Sequence, residues 1–148
     1  MNLRAEIEEK LKEAIKNKEK EKISVYRLLI TNIKNKEVEK KRLLTEEEFY
    51  SVVRTLIRQH HESIESFKKG GRTDLVEAEE KELKILEDLL PRPLSEEEIE
   101  NAVLEGIKEV GAKDRKEAGK VIKFIMEKYP GRIDGKKLSE MVLKRLSG

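Results

Sequence analysis

The sequence predicts an all-α protein, with an N-terminal bundle of four helices followed by a small C-terminal domain of three. Charged residues make up 43% of the 148 residues and aromatic residues 4%, a balance that favours amphipathic helices with solvated charged faces over sheets. Apolar residues recur every three to four positions along most of the chain, as on the buried face of a helix. Thr45, Ser95 and Asp114 each precede a Glu by three positions, which is typical of a helix start.

The first two helices are predicted from their apolar spacing. The first should extend from Asn2 to Lys16. Its buried stripe should contain Leu3, Ile7, Leu11, Ala14 and Ile15. The second contains the segment ISVYRLLI at 23–30, which is apolar around most of a helical circumference, so we expect it to be the central helix of the bundle. Its charged tail at 34–42 should reach solvent.

The third and fourth helices have clearer boundaries. Thr45 and Glu48 form a predicted capping box, in which the threonine oxygen accepts a first-turn amide while the glutamate reaches back. Gly70 and Gly71 should end this third helix. Its buried stripe should contain Phe49, Val53, Leu56, His60, Ile64 and Phe67. The fourth helix should begin near Thr73 and bury Leu75, Ala78, Leu86 and Leu89.

A pair of closely spaced prolines marks the predicted domain boundary. Pro91 and Pro93 cannot both lie inside a helix, because proline lacks an amide donor and its ring clashes with the preceding turn. We therefore expect an N-terminal domain at 1–90, a linker at 91–94 and a C-terminal domain at 95–148.

The C-terminal domain should contain three helices. Ser95 with Glu98 and Asp114 with Glu117 are predicted capping boxes for the first two. The first should bury Ile99, Val103, Ile107 and Val110 before Gly111, and the second should bury Val121, Ile122, Ile125 and Tyr129. The last should bury Leu138, Met141, Val142 and Leu146.

Several classes of chemistry find no support in the sequence. Without cysteine the chain has no disulfide, thiolate nucleophile or cysteine zinc site. His60 and His61 are adjacent and project about 100° apart on a helix, so we expect one half-buried ring and one solvated ring rather than a metal or acid-base pair. We predict no catalytic residues, no metal and no cofactor. No run is long and apolar enough for a membrane span or a leader, so we expect a cytoplasmic protein with no membrane partner.

Charge is segregated along the chain. Residues 1–90 carry 20 basic and 20 acidic side chains, 95–110 carry one lysine against six glutamates, and 111–148 carry 11 basic against 5 acidic residues. A cationic end of this kind indicates either a solvated charged face or contact with a phosphate backbone, and we favour the second interpretation.

A tight connection lies at the centre of this cationic end. Pro130 and Gly131 should end one helix, because glycine tolerates the left-handed conformation common just past a helix. Asp134 should cap the next helix, whose first turn contains Gly135, Lys136 and Lys137. With Arg132 alongside, the exposed amides and the helix dipole predict an anion site suited to phosphate, although a solvated loop is the alternative. On the preceding helix, a positive row should contain Lys116, Lys120 and Lys123.

Three long segments carry a family resemblance. They are SVYRLLITNIKN at 24–35, SIESFKKGGRTDLVEAEEKELKILEDLLPRPLSEEEI at 63–99 and AGKVIKFIMEKYPGRIDGKKLSEMVLKRL at 118–146. With them the chain resembles the YqeY-like family, which is related to the C-terminal tail of the B subunit of tRNA-dependent amidotransferases. The chain departs from the family pattern at Leu90, where an aromatic is usual, at Lys123, where a second glycine is usual, and at Ile133, where a small residue is usual. His60 and His61 stand where Lys or Arg is usual.

The resemblance implies an all-helical two-part protein whose C-terminal module holds tRNA by its elbow. The amidotransferase is a carbon-nitrogen ligase with glutamine as amido-N-donor, but its catalytic parts are absent from this chain, so any such activity would come through association. Implied partners are tRNA and amidotransferase or aminoacyl-tRNA synthetase components.

The first hypothesis is thus a non-catalytic tRNA-binding accessory protein. Its expected phosphate contacts are Lys116, Lys120, Lys123, Arg132, Lys136, Lys137 and Lys144, with turn geometry set by Gly119, Gly131, Asp134 and Gly135. The second is a helical protein–protein adapter with no nucleic-acid role, in which the N-terminal bundle is the working surface. The third is an amidotransferase component that stimulates amidation of misacylated tRNA.

Overall fold

The computed structural model describes residues 2–147, which fold into seven α-helices and one short 3₁₀ helix with no strand among them. The α-helices are α1 Leu3–Lys16, α2 Lys20–Lys40, α3 Glu46–Lys69, α4 Thr73–Asp88, α5 Glu96–Val110, α6 Ala118–Lys128 and α7 Gly135–Ser147, and the 3₁₀ helix is Arg115–Glu117. The all-α prediction is confirmed. The contacts divide the chain into two compact units, one ending at Leu90 and the other beginning at Pro91.

The N-terminal unit is built around α2, as its apolar circumference predicted. Val25, Leu29 and Ile33 of α2 are at most 1% exposed, and α1, α3 and α4 all pack against this helix. The predicted stripe of α1 was wrong at Ile15, which is 47% exposed, because the contact with α2 centres on Ile7 and Ala14.

The register of α4 also differs from the prediction. Its buried residues are Val76, Leu83 and Leu86, whereas Leu75 and Ala78 are only partly buried. Leu75 and Val76 are adjacent apolar residues, so spacing alone could not decide which of them faces α3.

The C-terminal unit packs α5, α6 and α7 around its own apolar core. Val121, Ile125, Leu138 and Val142 are fully buried at its centre. The same core includes Leu94, which the sequence analysis placed in the linker. No helix in the part of the chain that the structure describes has the length and apolarity needed to cross a bilayer.

Two of the three predicted capping boxes are confirmed. The amide of Glu48 donates to the Thr45 hydroxyl over 3.2 Å and the Glu48 carboxylate accepts the Thr45 amide over 2.9 Å. Ser95 and Glu98 repeat this arrangement over 3.2 and 3.0 Å. The box predicted at Asp114 was wrong. Its carboxylate accepts the amide two residues on, at Lys116, over 2.9 Å, which opens the 3₁₀ helix, and α6 begins only at Ala118.

Candidate nucleic-acid interface

The connection between α6 and α7 is tightly folded. Helix α6 ends at Lys128, and Gly131 has a φ of 75°, which confirms the predicted left-handed glycine. Ile133 is 2% exposed, so this turn contributes a side chain to the core. The carbonyl of Arg132 accepts the amide of Leu94 over 2.9 Å. The turn is therefore held in one place against the segment that precedes α5.

Helix α7 begins as predicted, but its cap changes the expected anion site. A carboxylate oxygen of Asp134 accepts the amide of Lys136 over 3.1 Å, and the Asp134 carbonyl accepts the amide of Leu138 over 3.0 Å. The cap thus places a negative charge at the positive end of the helix and uses one of the first-turn amides. Contact with a phosphate at this point would depend on the lysine side chains rather than on that amide.

The seven predicted phosphate contacts fall into two groups. Lys137 is within 3.2 Å of the Glu96 carboxylate, and the Arg132 guanidinium donates to the Arg92 carbonyl over 3.0 Å. The other five are exposed and have no ion-pair partner within residues 2–147; they are Lys116, Lys120, Lys123, Lys136 and Lys144. Arg115 and Arg145, which the sequence analysis did not select, are exposed in the same way and could have been found from the local excess of positive charge.

The predicted positive row is only partly continuous. Lys120 and Lys123 are three residues apart on α6 and therefore share a face. Lys116 lies on the 3₁₀ helix, because α6 starts three residues later than a single helix capped by Asp114 would. On α7, Lys136 and Lys144 are separated by about 12 Å along the axis, at a rise of ~1.5 Å per residue.

Among the predicted turn glycines, Gly131 alone has the backbone conformation that favours glycine. A Cβ added at Gly135 would be 3.6 Å from Met126 Cε, an ordinary van der Waals contact. A Cβ added at Gly119 would meet no atom within 4 Å. Gly119 therefore leaves an open surface in the first turn of α6, next to Lys120.

The N-terminal unit contains a cluster of one buried histidine and two partly buried glutamates, which the sequence analysis did not connect with each other. The side chain of His60 on α3 is 7% exposed. Its Nδ1 lies 2.9 Å from the Leu56 carbonyl, and its Nε2 lies 3.2 Å from Glu82 and 3.5 Å from Glu79 on α4. Burial raises the pKa of Glu79.

The geometry of this cluster indicates a structural role. The Leu56 carbonyl only accepts, so His60 Nδ1 donates to it, while Nε2 faces the carboxylates of Glu79 and Glu82. The ring therefore links α3 to α4. No group of three His, Cys, Asp or Glu residues in the described part of the chain has an arrangement that could hold a metal. His61 is exposed, as predicted for one of the two rings.

Fold and site together define an all-helical protein of two compact units, with a surplus of positive charge on the second. The chain belongs to the YqeY-like family, since the family's sequence profile matches residues 4–146.

Several fungal proteins are similar to this chain. "Altered inheritance of mitochondria protein 41, mitochondrial" from Pyrenophora tritici-repentis is 30% identical over 139 residues, which cover 89% of this chain and 74% of the relative. The protein of the same name from Kluyveromyces lactis is 40% identical over 85 residues, or 57% of this chain and 46% of the relative. The "Uncharacterized protein C22F3.15" of Schizosaccharomyces pombe is 30% identical over 94 residues, or 64% and 76%.

Proposed function

We propose that this chain is a tRNA-binding accessory protein with no catalysis of its own, which contacts RNA phosphates through its C-terminal unit. The observation that carries the proposal is the charge surplus at 111–148, where there are 11 basic side chains against 5 acidic ones. Among them Lys116, Lys120, Lys123, Lys136 and Lys144 are exposed without an ion-pair partner within residues 2–147. A lysine paired to a carboxylate must give up that partner to bind phosphate, whereas an unpaired lysine releases counterions from the RNA at no such cost.

The proposal specifies tRNA because the segment at 118–146 resembles the amidotransferase tail that holds the tRNA elbow. We expect recognition by shape and backbone rather than by base stacking. Tyr129, the one aromatic at the turn, is partly buried and has the Lys128 ammonium 5.7 Å from its ring centroid. Such a side chain is poorly placed as a stacking platform for an unpaired base.

The test measures the salt dependence of tRNA binding. Filter binding of bulk tRNA between about 50 and 200 mM salt should give a steep linear fall of log affinity with log salt. The double variant Lys120→Gln with Lys123→Gln should bind more weakly and have a slope shallower by about one per lost contact. The matched control is Lys16→Gln with Lys84→Gln, which removes two exposed lysines of the N-terminal unit and should change neither quantity.

Gly119→Ala provides a second variant that leaves every charge in place. A methyl group at this position meets no protein atom within 4 Å, so a loss of tRNA affinity would reflect close approach of the RNA. Equal affinity of the wild type and the Lys120/Lys123 variant would contradict the proposal. Recovery of a protein partner after nuclease treatment, without measurable RNA affinity, would favour the adapter alternative.

The proposed link to tRNA-dependent amidotransferase has a separate test. Catalytic partners would have to supply the ligase chemistry, with glutamine as amido-N-donor, so transamidation of misacylated tRNA should be measured with and without this chain. A higher rate in its presence would support the link, and an equal rate would contradict it. A cytoplasmic location is part of the proposal, and it would be checked by cell fractionation because the fungal relatives are named as mitochondrial.

A further inference from the structure

The N-terminal unit exposes two apolar side chains that its own core does not use. Val38, near the end of α2, is 78% exposed, and Leu43, in the turn before α3, is 68% exposed. They are the two most exposed large apolar side chains among residues 2–147. Single exposed aliphatics are common, but a pair in one place marks a candidate contact surface.

Both side chains line one open cleft of about 470 Å³. Its other lining residues are Arg4, Lys34, Glu37 and Arg42. A second cavity, of about 260 Å³, shares Arg4, Glu37 and Leu43 with it and extends inward to the core residues Ile33 and Phe49. We call the two together the α2–α3 cleft. Its outer part is open, with Val38 and Leu43 among charged side chains, and its inner end at Ile33 and Phe49 is apolar.

The shape of the α2–α3 cleft is held by its own ion pairs. Arg4 lies 2.6 Å from Glu37, which also accepts the amide of Leu44 over 3.3 Å. Arg42 makes two hydrogen bonds to Glu48, of 2.6 and 3.0 Å. These contacts join the start of α1, the end of α2 and the start of α3, so the cleft is formed before any ligand arrives.

The lining of the cleft contains three basic side chains, Arg4, Lys34 and Arg42, and two acidic ones, Glu37 and Glu46. Arg4 and Arg42 are already paired, with Glu37 and Glu48. Lys34 lines the cleft, Lys41 adjoins it in sequence, and both are exposed without an ion-pair partner in the described part of the chain. An occupant should therefore combine an apolar side chain for the cleft with carboxylates for these lysines.

We propose that the α2–α3 cleft docks a protein segment in which apolar side chains are flanked by Asp or Glu, as on an acidic amphipathic helix. A side chain can enter a concavity, whereas a flat bilayer surface cannot. RNA would gain little from Val38 and Leu43, and the ring of Phe49 is 4% exposed and not open to stack a base. The N-terminal unit is thus a recruiting surface that does not depend on RNA binding by the C-terminal unit.

The test uses a synthetic probe and a readout that locates binding. The probe is a helical peptide of about 15 residues with Leu at i, i+3, i+4 and i+7 and Glu at the flanking positions. A peptide with every Glu changed to Lys is its control. In ¹⁵N–¹H spectra of the full chain, the acidic peptide should shift the amides around Lys34, Val38 and Leu43, with at least about tenfold weaker binding of the lysine version.

Variants then distinguish peptide binding in the cleft from nonspecific binding elsewhere on the protein. Leu43→Asp and Lys34→Glu should each weaken binding of the acidic peptide at least about tenfold while leaving the spectrum dispersed. The matched control is Ile15→Asp, which places the same charge on an apolar side chain 47% exposed in the same unit, outside the cleft. The Lys120/Lys123 variant should bind the peptide normally, so failure here and failure of the tRNA proposal are distinguishable.

Three outcomes would overturn the proposal. One is the absence of shifts around Val38 and Leu43, and another is equal binding of the acidic and lysine peptides. The third is a stronger response of these amides to bulk tRNA, or to vesicles containing phosphatidylserine, than to the acidic peptide.

Discussion

The two units differ in the balance of their charged side chains. Residues 1–90 of the N-terminal unit carry equal numbers of basic and acidic side chains. There Arg4 pairs with Glu37, and Arg42 donates two hydrogen bonds to Glu48. In the C-terminal unit Lys137 pairs with Glu96, but residues 111–148 carry 11 basic against 5 acidic side chains, so cations outnumber the carboxylates that could pair with them. Exposed lysines without an ion-pair partner occur in both units within residues 2–147, and what distinguishes the C-terminal unit is its net positive charge.

The largest expected effect on stability should be alike in the two units, because each depends on an apolar core. Leu29→Ala in α2 and Ile125→Ala in α6 each remove a fully buried side chain and should lower the free energy of unfolding by about 2–5 kcal/mol. Urea denaturation followed by circular dichroism measures this loss. Ile15→Ala, at a side chain 47% exposed, is the control, and a loss of similar size there would contradict the argument.

An effect of intermediate size is expected when the two capping boxes are compared by their contribution to stability. Hydrogen bonds from Arg42, then from the Thr45 amide, lower the pKa of Glu48 far below its ordinary value of 4.5. Glu98 has its own box, but its Arg92 partner is 3.4 Å away through a single contact. Glu48→Gln should therefore lower the free energy of unfolding by about 1–2 kcal/mol at pH 7, and Glu98→Gln should lower it less.

The acid dependence checks the sign of the Glu48 effect. The Glu48 carboxylate holds a proton less readily in the folded chain than in the unfolded chain. Its contribution to the free energy of unfolding is therefore complete above pH 4.5 and is lost progressively as the pH falls below that value. Unfolding measured at neutral pH and near pH 3 should show a smaller acid-induced loss for Glu48→Gln than for the wild type. Identical losses would contradict the pairing.

The smallest expected effect on stability concerns the unpaired lysines. Lys120→Gln with Lys123→Gln removes no ion pair within residues 2–147, so the urea midpoint should not change, although tRNA affinity should fall. The same two measurements on one variant separate a binding role from a structural one. A lower midpoint would show that these lysines stabilise the fold and would contradict a role in ligand binding alone.

Most local signals were predicted well, with the box at Asp114 as the exception, and long-range ones poorly. The boxes at Thr45 and Ser95 and the left-handed Gly131 involve residues at most three positions apart, and all three are confirmed. The exposure of Ile15 and the partners of His60 depend on which face of one helix meets another, and no short-range rule contains that information. At Asp134 the cap was correct, but its consequence for an anion at the same amide was not foreseen.

The sequence by itself determined the helical class, the main helix starts and stops, the family and the location of the charge surplus, because all of these depend on composition and on neighbours within one or two turns. Only the tertiary structure decided which cations keep a carboxylate partner, that the ring of His60 faces Glu79 and Glu82, and that Val38 and Leu43 line one cleft. Those outcomes depend on distances between residues far apart in sequence, and these distances are set by the register in which the helices pack.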